Sequence, residues 1–222
     1  MDQKITTPGG ITLAYRELGD PRKPPLTLLH GRTANHHDWN TVIHPLAQHH
    51  HVRAVTLRGH GDSSRPGTYH LPDMADDIVA FLDATTTPRT ALIGHSLGGM
   101  IAYHLAARHP GRLTHLILED PPAPLPVDRP PLTADDDATG YDTAMLHQTE
   151  HQFTHPDPGW AAALHRIATP TLVIAGGPTS HVDAAATAAL IPTAHTVTID
   201  AGHLIHQNAP RQFLQTVLTF LT

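Results

Sequence analysis

Apolar runs of strand length alternate with amphipathic segments of helix length along most of the 222 residues. A mostly parallel sheet flanked by helices satisfies that order, and an all-helical or all-β chain does not. Residues 3–7 and 11–17, separated by Pro8-Gly9-Gly10, read as an opening hairpin. Leu26-Thr27-Leu28-Leu29 reads as a buried strand ending at His30-Gly31. The spacing of Trp39, Val42, Ile43 and Leu46 predicts a helix from Asp38 to about His50, and a strand follows from Val52 to Leu57. Met74, Ile78, Phe81 and Leu82 recur at helical spacing, and Ala91-Leu92-Ile93 is a further buried strand. A helix with Leu97, Ile101 and Leu105 on its inner face then stops near Pro110-Gly111, before a strand over Leu113 to Leu118.

Between Pro121 and Pro158 the pattern changes: eight of 38 residues are proline, seven are Asp or Glu, and Arg129 is the only Lys or Arg. Such a segment fits no sheet strand and reads as an excursion over one end of the sheet, partly helical around Tyr141 to Phe153. The run Asp135-Asp136-Asp137 reads as a solvated surface or a helix start. Regular order resumes with a strand over Thr171 to Ala175, a helix from about Asp183 and a strand over His195 to Ile199. A last helix runs to Leu221, with Asn208 as its candidate N-cap and Pro210 in its first turn.

Composition removes several classes of function. With 14 Lys+Arg against 20 Asp+Glu the formal charge is −6, which disfavours a nucleic-acid backbone or an anionic membrane as partner. No stretch approaches the roughly 20 apolar residues of a membrane span, and Met1-Asp2-Gln3-Lys4 lacks the basic flank of a secretion signal, so a cytoplasmic protein is expected. The absence of cysteine excludes disulfides, a thiolate nucleophile and Cys-ligated metals, which leaves histidines and carboxylates as the possible metal ligands. The 21 histidines are scattered apart from His36-His37 and His49-His50-His51, and the expectation is that no metal and no cofactor is needed.

Chemistry concentrates where the strand Ala91-Leu92-Ile93 runs through Gly94-His95-Ser96-Leu97-Gly98 into a helix. A serine hydroxyl is a poor nucleophile until a base takes its proton. A sharp strand-to-helix turn exposes the Ser96 oxygen and sets the Leu97 N–H beside a developing oxyanion. A second oxyanion donor is expected from the loop after Leu29, as the backbone N–H of Arg32. The base is expected just after the last strand, in Asp200-Ala201-Gly202-His203, where a short loop aims His203 at Ser96. His206 is expected to pack or support that loop. His30 is a candidate substrate contact, with hydrogen bonding inside its own loop as the competing reading. The Arg32 side chain either meets a substrate carboxylate or faces water.

These motifs together resemble the α/β-hydrolase fold family, through Leu28-Leu29-His30-Gly31, Arg58-Gly59-His60-Gly61-Asp62-Ser63, Gly94-His95-Ser96-Leu97-Gly98-Gly99 and Gly202-His203-Leu204-Ile205-His206 before Pro210. The resemblance covers nearly the whole chain. It implies a mostly parallel central sheet with helices on both faces, a Ser-His-acid triad and no cofactor. It also implies a short inserted lid, here residues 121–168, over a core of 1–120 and 169–222, with the Arg58 to Ser63 loop structural. One element departs from the family pattern: Gly176-Gly177-Pro178-Thr179-Ser180-His181-Val182, where the acid usually stands, contains no carboxylate. Some relatives take the acid from the end of the preceding strand, which here closes on Glu119-Asp120. Strand alternation lets only one of the two point at the site. Asp120 is the candidate, with Glu119, Asp183 and no acid at all as alternatives, and Asp183 also suits a helix N-cap.

The expected function is a serine hydrolase acting on an ester, lactone or thioester of a small molecule. The fold also hosts lyases, C–C bond hydrolases, natural-product cyclases and ligand-binding proteins, and the displaced acid keeps those alternatives open. Tyr141, Met145 and Trp160 are candidate substrate contacts from the inserted segment, with Leu125, Leu146 and Phe153 as further apolar lining. Composition and motifs leave substrate identity and oligomeric state open.

Overall fold

A computed structural model describes residues 2–128 and 140–222. Eight strands form one sheet: β1 (Asp2–Thr6), β2 (Thr12–Leu18), β3 (Pro25–Leu29), β4 (His51–Val55), β5 (Thr90–His95), β6 (Leu113–Glu119), β7 (Thr171–Ala175) and β8 (Ala194–Thr198). Their spatial order is β1-β2-β4-β3-β5-β6-β7-β8. The first two pairings, β1 with β2 and β2 with β4, are antiparallel, and every later pairing is parallel. The chain turns back across the sheet between β4 and β5, so β3 and β5 are neighbours whose crossovers leave in opposite directions. Open α/β sheets form their ligand crevices beyond the carboxyl ends of such a strand pair.

The central strands are apolar at successive positions because both faces are covered. Leu29, Leu92, Leu116 and Leu118 face a cluster built on α2 (Leu71–Ala84) and α3 (Leu97–Arg108). Their neighbours Leu28, Ile93 and Ile117 face the opposite cluster, with Trp39 and with Phe213 and Val217 of α8 (Pro210–Phe220). No helix among the described residues is long and apolar enough to cross a membrane.

Two local expectations are corrected. In place of one helix from Asp38 to His50 there is a 3₁₀ turn, His36–Thr41, and a separate short α1, Ile43–Ala47. Pro45 has no N–H to return to Thr41, and Val42 leaves helical geometry at φ −123°, so the two pieces do not join. The N-cap of α8 is Ala209, because Asn208 ends the preceding α7 (Ile205–Asn208) and its amide donates to the Ala201 carbonyl at 2.9 Å. Asp183 does cap α6 (Ala184–Ala189), accepting from the Ala186 N–H at 3.2 Å.

The segment between β6 and β7 leaves the sheet and carries α4 (Thr143–Thr154) and α5 (Pro158–Leu164). Asp135, Asp136 and Asp137 lie outside the described residues. Tyr69 donates its hydroxyl to Asp142 at 2.5 Å, Gln148 accepts from the Tyr69 N–H, and Gln152 accepts from the Leu71 N–H. Trp160 of α5 packs edge-on against His104 of α3 with ring centroids 4.6 Å apart. These polar latches and the buried face of Met145, Thr149 and Phe153 fix α4 to the body.

Candidate active site

The turn from β5 to α3 is built by close packing. A Cβ on Gly94 would stand 2.3 Å from the Gly98 carbonyl oxygen, and one on Gly98 would stand 2.3 Å from the Leu29 carbonyl oxygen. Both positions therefore exclude any side chain. Between them Ser96 is held at φ 51° and ψ −113°, a conformation that costs a non-glycine residue roughly 1–3 kcal/mol. The strain lifts its side chain out of the strand into a cleft of about 520 Å³ that also takes in Gly31, Arg32, His95 and His203. As the first residue of α3, Leu97 presents an N–H that has no acceptor within the helix, at the positive end of the helix dipole.

His203 follows β8, and its Nδ1 donates to Asp120 Oδ2 at 2.7 Å. Its position is fixed from a second side, since His95 Nε2 donates to the His203 carbonyl at 2.9 Å. Asp120 is fully buried at the end of β6, with φ +45°. It also accepts from the Ser180 hydroxyl at 2.5 Å and from the Gly176 N–H at 2.9 Å. Burial alone would raise its pKa, but the hydrogen bonds from His203, Ser180 and Gly176 outweigh burial and hold it below the usual carboxylate range. The loop after β7 thus supplies donors to an acid that stands on β6.

Strand alternation separates the two neighbouring acids. Glu119 points to the other side and receives the His206 backbone N–H at 2.8 Å and the His206 ring Nδ1 at 2.9 Å. On the far side of that ring, Nε2 lies 3.5 Å from Asp38 Oδ2, an ion-pair separation. Burial opposes charge on His206, yet Glu119 and Asp38 together push its pKa up to about 10. A buried imidazolium between two carboxylates therefore packs against His95 and Trp39, three residues beyond His203. Asp183 serves as a helix cap, and Asp200 accepts from Thr179 at 3.2 Å.

The remaining residues divide. Tyr141 lines the cleft, as do Leu146, Phe153 and His181. Met145 and Trp160 do not line it: Met145 is fully buried in the core beside Thr149, and Trp160 packs on His104. On α4 one residue step rotates a side chain by about 100°, which exchanges Met145 for Leu146. His30 does not contact the cleft either, because its Nδ1 donates to the Gly31 carbonyl and its Nε2 accepts from the Leu57 N–H at 3.0 Å. Burial holds its pKa down to about 3, consistent with a neutral structural ring. The Arg32 side chain neither faces water nor stands free for a substrate: it pairs with Glu150 at 2.6 Å and lies over the Phe153 ring. His181, at the position where the family usually places its acid, packs at a tilt against His203 with ring centroids 4.4 Å apart. The Arg58 to Ser63 loop is braced by an Arg58–Asp77 ion pair and by Ser63, which donates to the Thr56 carbonyl at 2.7 Å.

Beside the cleft lies a more apolar recess of about 530 Å³ whose walls include Leu125, Val127 and Ala186. The two spaces share Pro122, Phe153, His181 and Val182.

Residues 24–154 match the family model described as the alpha/beta hydrolase fold, and the chain belongs to that family. It is 31% identical over 141 residues to a pimeloyl-[acyl-carrier protein] methyl ester esterase of Photorhabdus laumondii, covering 63% of this chain and 49% of that protein. It is 32% identical over 118 residues to epoxide hydrolase 3 of Xenopus tropicalis, covering 52% of this chain and 32% of that protein. The matches thus span half or less of those two relatives. A crystal structure of a hydrolase from Pseudomonas aeruginosa superposes with a TM-score of 0.85 at 28% identity, covering 99% of this chain and 98% of that one.

Proposed function

We propose that the protein is a serine hydrolase that cleaves an ester, lactone or thioester of a small molecule through an acyl-enzyme on Ser96. The observation that carries this reading is the 2.7 Å hydrogen bond from His203 to a buried, ionised Asp120 in the cleft that Ser96 enters. With Nδ1 donating its proton to Asp120, Nε2 is the free base of the ring. His203 takes the Ser96 proton as the oxygen attacks the carbonyl, and the backbone N–H groups of Arg32 and Leu97 receive the oxyanion. His203 then protonates the leaving group, and water, deprotonated by the same ring, releases the acid. Asp120 keeps the imidazole in its working tautomer and stabilises the imidazolium. The described part of residues 121–168 serves as the cover of a core formed by 1–120 and 169–222. The apolar recess next to the cleft suits a hydrocarbon portion of the substrate, and esterase activity is named for one of the relatives.

The test is a p-nitrophenyl acyl ester series from acetate to octanoate, on the wild type and on Ser96→Ala. Turnover lost in the variant and a serine acylated in the intact protein, seen by mass spectrometry, are the expected results. A folded wild type that turns over none of the series and forms no covalent adduct with a serine-directed phosphonate would overturn the reading.

A further inference from the structure

The pair His36-His37 takes no part in the cleft, and the fold brings a carboxylate to it from the far end of the sequence. Asp2 lies at the start of the edge strand β1, and the two histidines begin the 3₁₀ turn that follows β3. His36 Nε2 stands 3.4 Å from Asp2 Oδ1, and His37 Nε2 stands 3.7 Å from Asp2 Oδ2. Among the described residues these are the one set of three such side chains whose ligand atoms all lie within 4.8 Å of one another. Tetrahedral coordination at Zn–N and Zn–O lengths of about 2.0–2.2 Å places neighbouring ligand atoms about 3.3–3.5 Å apart. The two nitrogen–oxygen separations, each to a different oxygen of the Asp2 carboxylate, are close to that spacing.

A second observation points to a ligand. His36 is 6% exposed; its Nδ1 shares a hydrogen bond with Thr56 Oγ1 at 2.7 Å, and its buried Nε2 makes no hydrogen bond, with the Asp2 carboxylate standing 3.4 Å away. A hydrogen bond between the second ring nitrogen and a neighbouring oxygen is the arrangement that orients metal-binding imidazoles. Lys4, the nearest cation on β1, pairs with Asp62 at 3.0 Å rather than with Asp2. Asp2, His36 and His37 line a recess of about 340 Å³.

We propose that Asp2, His36 and His37 form a binding site for a divalent transition cation of the zinc type. Two imidazoles and a carboxylate suit Zn²⁺ better than Ca²⁺ or Mg²⁺, which take all-oxygen sets. The cation clamps β1 to the loop after β3. Four of the five residues of that strand are exposed, and beyond its pairing with β2 it is held by the packing of Ile5 and by the Lys4–Asp62 pair. The site lies apart from the cleft, and its test does not depend on any turnover.

Calorimetric titration of the full chain with ZnCl₂ should show one equivalent bound more tightly than any other. Asp2→Ala and His37→Ala, both at exposed side chains, should each weaken that equivalent at least about tenfold, the lower bound for losing even an outer-shell partner. His49→Ala, in the other histidine run, should leave it unchanged. Replacing Zn²⁺ with Co²⁺ should give the visible absorption of a tetrahedral site in the wild type and not in Asp2→Ala. Absence of a saturable equivalent, or one that survives both variants unchanged, would overturn the proposal. Circular dichroism of each variant without metal separates lost binding from lost folding.

Discussion

Asp120→Asn tests the arrangement of acid and base most directly, and the surrounding donors determine its size. Asp120 accepts three hydrogen bonds, two at Oδ2 from His203 and Ser180 and one at Oδ1 from Gly176. An asparagine keeps one acceptor and gains an NH₂. If the NH₂ replaces Oδ1 it meets the Gly176 N–H, donor against donor, at a fully buried position, which costs about 1–3 kcal/mol. If it replaces Oδ2, the Ser180 hydroxyl turns to accept, and His203 must present an unprotonated Nδ1. The second orientation conserves the hydrogen bonds and prevails. It moves the imidazole proton to Nε2, the atom that accepts the Ser96 proton in the proposed mechanism. The corresponding loss in established serine triads is about 10⁴ in turnover, or about 5.5 kcal/mol in the barrier. We therefore expect kcat for a p-nitrophenyl ester to fall by about 10³–10⁴, with the thermal midpoint moving by no more than a few degrees. A folded Asp120→Asn enzyme with kcat within about tenfold of the wild type would refute the assignment of the acid.

Two further outcomes concern the frame around the site. Glu119→Gln removes one carboxylate from the buried His206, leaving Asp38 as its counter-charge and His95 as its neighbour; breaking such a pair costs about 3 kcal/mol or more, a loss of about 6–12 °C in melting temperature for a chain of this size. Because the folded-state pKa of His206 is raised to about 10, its stabilisation is complete below the unfolded value near 6.5 and is lost as pH rises toward 10. The gap between wild type and variant in thermal melts should therefore shrink from pH 6 to pH 9.5, and a gap that stays constant would refute the charged assignment. Gly94→Ala places a Cβ 2.3 Å from the backbone oxygen of Gly98, so soluble expression should be lost, whereas Gly111→Ala, with no atom within 4 Å, should express and melt like the wild type.

The sequence shows clearly whatever depends on periodicity or on a backbone that admits only one residue type. Leu28 and Leu29, or Leu92 and Ile93, are both apolar because each faces a different covered layer, so these central strands are readable without any alternation. Gly94, Ser96 and Gly98 are readable because contacts at 2.3 Å allow nothing larger beside the strained serine. Met145 and Leu146 are not separable in this way. They are adjacent on α4, and the phase of a helix that follows a proline-rich stretch is set by the latches from Asp142, Gln148 and Gln152, which leave no periodic signal. The approach of Asp2 to His36 and His37 is hidden for a related reason, since it depends on the β1–β2 register and on the early end of the 3₁₀ turn.

The acid shows why one departure from a motif does not dismantle a site. Parallel pairing sets Glu119 beside Ile174, and the next residue, Asp120, donates its N–H to the Ile174 carbonyl at 2.8 Å before the chain turns away at Pro121. At that point the carboxylate of Asp120 already lies against the loop that follows β7, one strand away from where the family usually carries it. What that loop must then provide is donors, and Gly176 N–H and the Ser180 hydroxyl provide them. A carboxylate at either place would meet the same imidazole from neighbouring strand ends, but two carboxylates there would repel across a buried space and raise each other's pKa. The absence of an acid in Gly176 to Val182 and the presence of Asp120 are therefore parts of one electrostatic solution, in which a single buried charge is held by three donors, one of them His203.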